Sequence, residues 1–139
     1  MFDQKLITAN KYLVKQDAEL VDKYLKRRNW QPQDCGGGLK LMITKHGSGD
    51  SIIHKPDVQF AFRVELLDGT LCYSSETEGK KKLIFGSGEL EPGLIKAFAR
   101  LKHGDQAVFI LPPHLAKGLL GDLNKIPPHS VIVYYADID

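Results

Sequence analysis

Five histidines, His46, His54, His103, His114 and His129, are the first residues to test for chemistry. None pairs as His-x-His or His-x-x-x-His, the spacings that bring two imidazoles to one metal from a strand or a helix. They are read as solvated or capping groups, and neither a metal nor a cofactor is expected. Cys35 and Cys72 form no Cys-x-x-Cys set, so two free thiols and one disulfide both stay open. Gly36-Gly37-Gly38 and Gly47-Ser48-Gly49 are glycine-rich. Neither sits between a strand and a helix with a following Lys-Ser/Thr, so they read as a linker and a turn rather than a phosphate cradle. No Ser-His-Asp or Cys-His arrangement stands out. What is left is binding, or catalysis that needs no nucleophile, metal or cofactor. Ile126-Pro127-Pro128 precedes the β-branched run Val131 to Ile138, and proline fixes φ at about −65°, so the run is announced by a rigid dipeptide that lacks backbone donors.

The elements that carry these residues follow from periodicity. Residues 3–29 have helical spacing, with Leu6, Leu13, Leu20 and Tyr24 on one side beside Val14, Val21 and Leu25. Asp17 resembles an N-cap, so two helices with a break near Gln16 are an alternative to one. Lys26, Arg27 and Arg28 suit a helix C-terminus and Pro32 forbids continuation. The stretch 34–38, DCGGG, reads as a flexible joint, giving an N-terminal helical segment over 1–34 and a domain over 35–139. The helix is a packing element or, alternatively, a dimerisation or partner helix.

From Leu39 the period becomes two. Leu39, Leu41 and Ile43 share a face, as do Val58, Phe60, Phe62, Val64 and Leu66, with Gln59, Arg63 and Glu65 outward. Asp68-Gly69 signals a hairpin returning through Leu71 to Ser74. A short strand is expected over Lys82 to Phe85. Leu94, Ile95, Ala97, Phe98 and Leu101 mark one helix, with Gly104 as its cap. Gln106 to Leu111 is apolar on both parities, as in a strand covered on both sides. The predicted class is α+β: an antiparallel sheet wrapping one short helix, preceded by the helical segment.

A net charge of +2 gives no field to recruit nucleic acid, and no nucleic-acid partner is expected. The run Lys80-Lys81-Lys82 reads as a solvated strand edge. No apolar run approaches the roughly 20 residues that span a bilayer. Neither a signal peptide nor a lipobox is visible.

The segment 38–138 resembles the FKBP-type peptidyl-prolyl isomerases. The stretches that carry the likeness are DVQFAFRVELLDGTLCYSS (57–75), LIFGSGELEPGLIKAFARLKHGDQAVFILPP (83–113) and GLLGDLNKIPPHSVIVYY (118–135). Within them Leu67-Asp68-Gly69, Ser74-Ser75, Gly86, Gly93, Gly104-Asp105, Leu111-Pro112, Gly118 and Ile126-Pro127-Pro128 match the family pattern in order. The helical segment ending Arg27-Arg28-Asn29-Trp30 also looks like that of FKBP-type lipoproteins of the Bacteroidetes, which implies the periplasm or envelope of a bacterium.

This resemblance implies a curved antiparallel sheet wrapping one helix, and a pocket for the proline of an X–Pro peptide. It places Phe62, Cys72, Tyr73, Leu90, Glu91, Leu94, Lys117, Ile126 and Tyr134 at the pocket. Phe62 stands for the family's first-strand Tyr, Cys72-Tyr73 for its Phe-Asp pair, and Leu90-Glu91 for Val-Ile. Leu94 stands for the Trp floor, Lys117 for the flap Tyr and Tyr134 for the closing Phe. Lys81 falls near a further pocket aromatic. The Glu91 N–H is the implied donor to a substrate carbonyl, and Glu91 with Lys117 could pair across the rim.

The implied reaction needs no acid, base or nucleophile. The barrier of about 18–20 kcal/mol is set by amide resonance. A dry apolar pocket disfavours the planar, more polar ground state over the twisted one. The implied partners are proline-containing peptides or unfolded clients; a homodimer through the N-terminal helix is the alternative that the helix itself leaves open. The alternative is an FKBP-like module that binds peptide or protein, or acts as a chaperone, without turnover.

Overall fold

The computed structural model describes residues 4–54, 58–83, 95, 97–113 and 130–139, with side chains described for 15–53, 58–82, 95, 97–113 and 130–139. The chain divides into two compact units, Met1–Gln31 and Pro32–Asp139.

The first unit is one helix, α1 (Gln4–Arg28), unbroken at Gln16. Between residues 4 and 28 there is no glycine or proline to interrupt it, and an Asp inside a helix costs only about 0.7 kcal/mol, too little to end one. Over the described side chains, 15–28, the apolar seam is narrower than the periodicity implies: Val21 and Tyr24 are buried, whereas Leu20 is 46% exposed. The end is a two-bond C-cap. Asn29 adopts φ 56°, its N–H donates to the Lys26 carbonyl, and the Trp30 N–H donates to the Leu25 carbonyl at 3.0 Å. The left-handed residue turns Trp30 back so that its ring meets Tyr24 edge-on at 5.8 Å. The Arg28 guanidinium lies over both rings, at 4.8 and 5.1 Å. The helix therefore stops before Pro32 is reached.

The second unit opens with a hairpin of β1 (Gln33–Gly36) and β2 (Leu39–Lys45). The glycines expected as a flexible joint instead form its strand end and turn. The remaining strands are β3 (Val58–Leu66), β4 (Leu71–Ser74), β5 (Lys81–Leu83), β6 (Gln106–Leu111) and β7 (Ile132–Ile138). Between β4 and β5 lies a one-turn helix, α2 (Ser75–Glu78), which the sequence reading did not anticipate. Every pairing among these strands is antiparallel, in the order β1-β2-β6-β7-β3-β4, with β5 also on β3.

The alternation read in β3 is realised: Val58, Phe60, Phe62 and Val64 are buried, and Gln59 and Arg63 are exposed. Asp68-Gly69 makes the hairpin to β4. Gly69 sits at φ 90°, where a side chain would be strained, and the Asp68 carboxylate accepts from the Thr70 N–H at 2.9 Å. β6, between β2 and β7, is buried from Ala107 to Leu111. On one sheet face Phe60, Phe62, Phe109, Leu111, Ile132 and Tyr134 pack with Ala97 and Phe98 of the short helix that ends at Phe98, and with Leu101 beyond it.

Gly104 does not cap that helix. Helical geometry ends by Phe98, and Gly104 lies in a later turn, its N–H donating to the Ile138 carbonyl at 3.1 Å. The turn is held by Asp105, which is 1% exposed. Its two carboxylate oxygens accept from the Gly47 and Lys102 N–H groups at 2.6 and 2.8 Å. Gly47 passes so close to the His103 carbonyl that a Cβ there would clash with backbone. Two backbone donors thus converge on one buried carboxylate, whose charge strengthens both bonds.

Candidate functional site

On the helix-facing side of the sheet, Phe62 from β3 and Tyr134 from β7 lie ring to ring. Their centroids are 6.0 Å apart and their planes differ by 15°. The register explains the meeting. Val64 faces Tyr134 and Phe62 faces Ala136, so Phe62 and Tyr134 are diagonal neighbours on one face. Phe60 stands behind both, at 6.5 and 6.4 Å, and Phe109 lies 6.4 Å from Tyr134. Phe98 closes the group against Phe109 at 4.9 Å and Phe60 at 5.6 Å. A wall backed on this many sides holds its rotamers, because interiors pack like crystals and have little room to yield.

Tyr134 is fully buried, and its hydroxyl has no hydrogen-bond partner among the described residues. Burial pushes the phenol's pKa up strongly, since the phenolate would lose its hydration.

Cys72 and Tyr73 are consecutive, and alternation alone would send them to opposite faces. A bulge prevents this. Val64 pairs with Tyr73 and Glu65 pairs with Leu71, which leaves Cys72 as the extra residue. Cys72 is consequently buried, and Tyr73 packs against the same core. No disulfide joins Cys35 and Cys72. After β4, Ser74 caps α2 by accepting from the Glu76 N–H at 3.2 Å. The next serine reaches back: the Phe62 N–H donates to Ser75 Oγ at 3.1 Å. The Ser-Ser pair thereby secures both the turn and the backbone of the aromatic wall.

The lysine run is not uniformly solvated. Lys80 pairs with Asp139 at 2.8 Å. Lys81 is half-buried, and its ammonium sits 4.8 Å from the centre of the Phe62 ring. Burial lowers its pKa, and Glu78 opposes that shift.

The structure therefore brings Phe62 and Tyr134 into stacking contact and packs Cys72 and Tyr73 into the adjoining core. Leu90, Glu91, Leu94, Lys117 and Ile126 lie outside the described residues, as do Pro127 and Pro128. Sequence reasoning missed the support from Ser75. It also gave Lys81 a solvated edge as well as a place near the pocket. The Ser-Ser-Glu-Thr-Glu stretch carried a usable signal for α2: a capping hydroxyl followed by acidic residues in the first turn.

A profile described as FKBP-type peptidyl-prolyl cis-trans isomerase matches residues 50–138. The chain belongs to that family. Among curated relatives it is 28% identical over 132 residues to the "Probable FKBP-type peptidyl-prolyl cis-trans isomerase FkpA" of Neisseria meningitidis, covering 94% of this chain and 48% of that one. It is 27% identical over 137 residues to the "Peptidyl-prolyl cis-trans isomerase Mip" of Chlamydia pneumoniae, covering 94% and 50%. The chain thus spans about half the length of these relatives. Two solved structures share the fold. FkpA from Escherichia coli superposes with a TM-score of 0.68 at 22% identity over 96% of this chain and 62% of that one. AtFKBP13 gives 0.65 at 21% identity over 78% and 97%.

Proposed function

We propose that this chain accelerates cis–trans rotation about X–Pro bonds, with Phe62 and Tyr134 as the apolar walls of the site. The observation that carries the reading is the stacked, water-free pair on the helix-facing side of the sheet, within the matched region. Uncatalysed exchange takes tens to hundreds of seconds, because twisting the amide sacrifices its resonance. The planar amide is the more polar form, so a dry aromatic surface destabilises it relative to the twisted form. Only that difference speeds the reaction. Leu90, Leu94 and Ile126 complete the apolar slot, Glu91 offers its backbone N–H to the carbonyl before proline, and Lys117 stands at the rim. The helical segment 1–34 precedes the domain 35–139 and pairs two copies in a bacterial periplasm or envelope, where the clients are unfolded proteins. The compartment and the clients follow from the resemblance stated above, and the division and the pairing from the glycine-rich stretch 34–38 and the apolar side of the helix.

A second reading is favoured by one observation. The Lys81 ammonium places a charge against the wall where water exclusion matters. On that reading the site holds peptide, as a binding or chaperone module, without turnover. A protease-coupled assay on several X–Pro peptides separates the two. Acceleration that falls in Phe62→Leu supports catalysis. Rates equal to the uncatalysed ones, with retained peptide binding, support the module.

A further inference from the structure

Two short strands share one edge of β3 and leave a gap between them. β5 pairs with residues 58–60 and β4 with residues 63–65, while β7 runs along the other edge. Phe62 falls in the gap. A residue in an antiparallel strand offers its N–H to one side only, and that of Phe62 points into the gap, away from β7. What it meets there is a side chain and not backbone: the Ser75 hydroxyl, at 3.1 Å.

Ser75 is itself fixed. It opens α2, whose start is capped by Ser74, and its carbonyl accepts from the Gly79 N–H at 2.9 Å. The two serines divide the work, Ser74 holding the turn and Ser75 the wall. The Phe62 ring is 4% exposed and stacked on Tyr134. A side chain packed so closely has little freedom of its own, so its place is decided by its main chain.

We propose that Ser75 is a positioning residue for the X–Pro site, setting the place of Phe62 through that residue's backbone N–H. The proposal rests on the reading of Phe62 as a wall of that site. The hydroxyl acts through Phe62 and not on the peptide.

A double-mutant cycle separates this role from a merely structural one, because residues that act through one another are not additive. kcat/KM for one X–Pro peptide is measured by exchange NMR on the full chain, as wild type, Ser75→Ala, Phe62→Leu and the double variant. Ser75→Ala should lower kcat/KM about three- to fivefold in the wild-type background, as small misplacements in a site do, and leave it unchanged in the Phe62→Leu background. Ser75→Thr, which keeps the hydroxyl, should restore it. Should Ser75→Ala not fold, Ser75→Cys, a weaker acceptor, takes its place in the cycle with the same expectations. Amide hydrogen exchange gives an independent reading. The Phe62 N–H should exchange about tenfold faster in Ser75→Ala, with the Phe60 and Val64 amides unmoved. Equal fold losses in the two backgrounds, or a Phe62 amide that exchanges as before, overturn the proposal. If wild type accelerates no peptide, the isomerase reading fails, and the same cycle is read from dissociation constants. A loss of affinity in Ser75→Ala that vanishes in the Phe62→Leu background then upholds the proposal; equal losses or no binding overturn it.

Discussion

Replacing Tyr134 by Phe removes one oxygen atom and nothing else. The ring stays in its stack with Phe62 and against Phe60 and Phe109. The hydroxyl that disappears is buried without a partner among the described residues. Folding therefore strips it of water, and the described residues return no hydrogen bond. An unpaired buried hydroxyl costs about 1–3 kcal/mol on protein-derived scales. Part of this is offset by dispersion contacts the oxygen makes, so Tyr134→Phe should stabilise the fold by about 1–2 kcal/mol.

Urea unfolding at neutral pH measures the change as a higher midpoint with an unchanged slope. Alkaline pH supplies an independent check. The folded-state pKa of this phenol is raised above its ordinary 10.0. The unfolded chain therefore loses the proton first. The phenol's contribution is intact below that ordinary value and is lost as pH rises past it. Wild type should destabilise more steeply than Tyr134→Phe above that point. A lower urea midpoint for the variant, or identical alkaline limbs, would show that the hydroxyl is paired or ionises freely and would refute the reasoning.

Asp105→Ala leaves the Gly47 and Lys102 N–H groups without their acceptor. Urea unfolding should show a loss of roughly 2–4 kcal/mol. Gly69→Val forces a β-branched residue into φ 90° and should cost about 1–3 kcal/mol by the same measurement. Phe62→Leu keeps an apolar side chain but loses the ring that stacks on Tyr134. The fold should survive on near-ultraviolet circular dichroism, while kcat/KM on X–Pro peptides falls about tenfold, the equivalent of about 1.4 kcal/mol of lost ring contact.

What could be read beforehand divides along physical lines. The period-two faces of β3 and β2, the Asp68-Gly69 hairpin and the doubly covered β6 were legible because local pattern and tertiary burial agree there. The continuity of α1 was not, because Asp17 looks like a cap in isolation and the true stop is Asn29, whose left-handed φ is set by bonds back to Lys26 and Leu25. The burial of both Cys72 and Tyr73 depends on a bulge, which is a property of two strands at once. Lys81 is the sharpest case. Its environment comes from the pairing of β5 with β3 and the direction of the Phe62 side chain. Three adjacent lysines look alike in a sequence, yet one is salt-bridged, one lies on an aromatic ring and one is exposed.

Rotation at a single X–Pro bond, followed without protease by exchange NMR, tests the central claim most directly. With catalytic amounts of the chain, cis and trans peaks of an X–Pro peptide should broaden or exchange on the second timescale or faster, against tens to hundreds of seconds unaided. The same titration should shift the aromatic resonances of Phe62 and Tyr134. Exchange that stays at the unaided rate across acidic, neutral and basic residues before proline, with those resonances unmoved, would contradict the account.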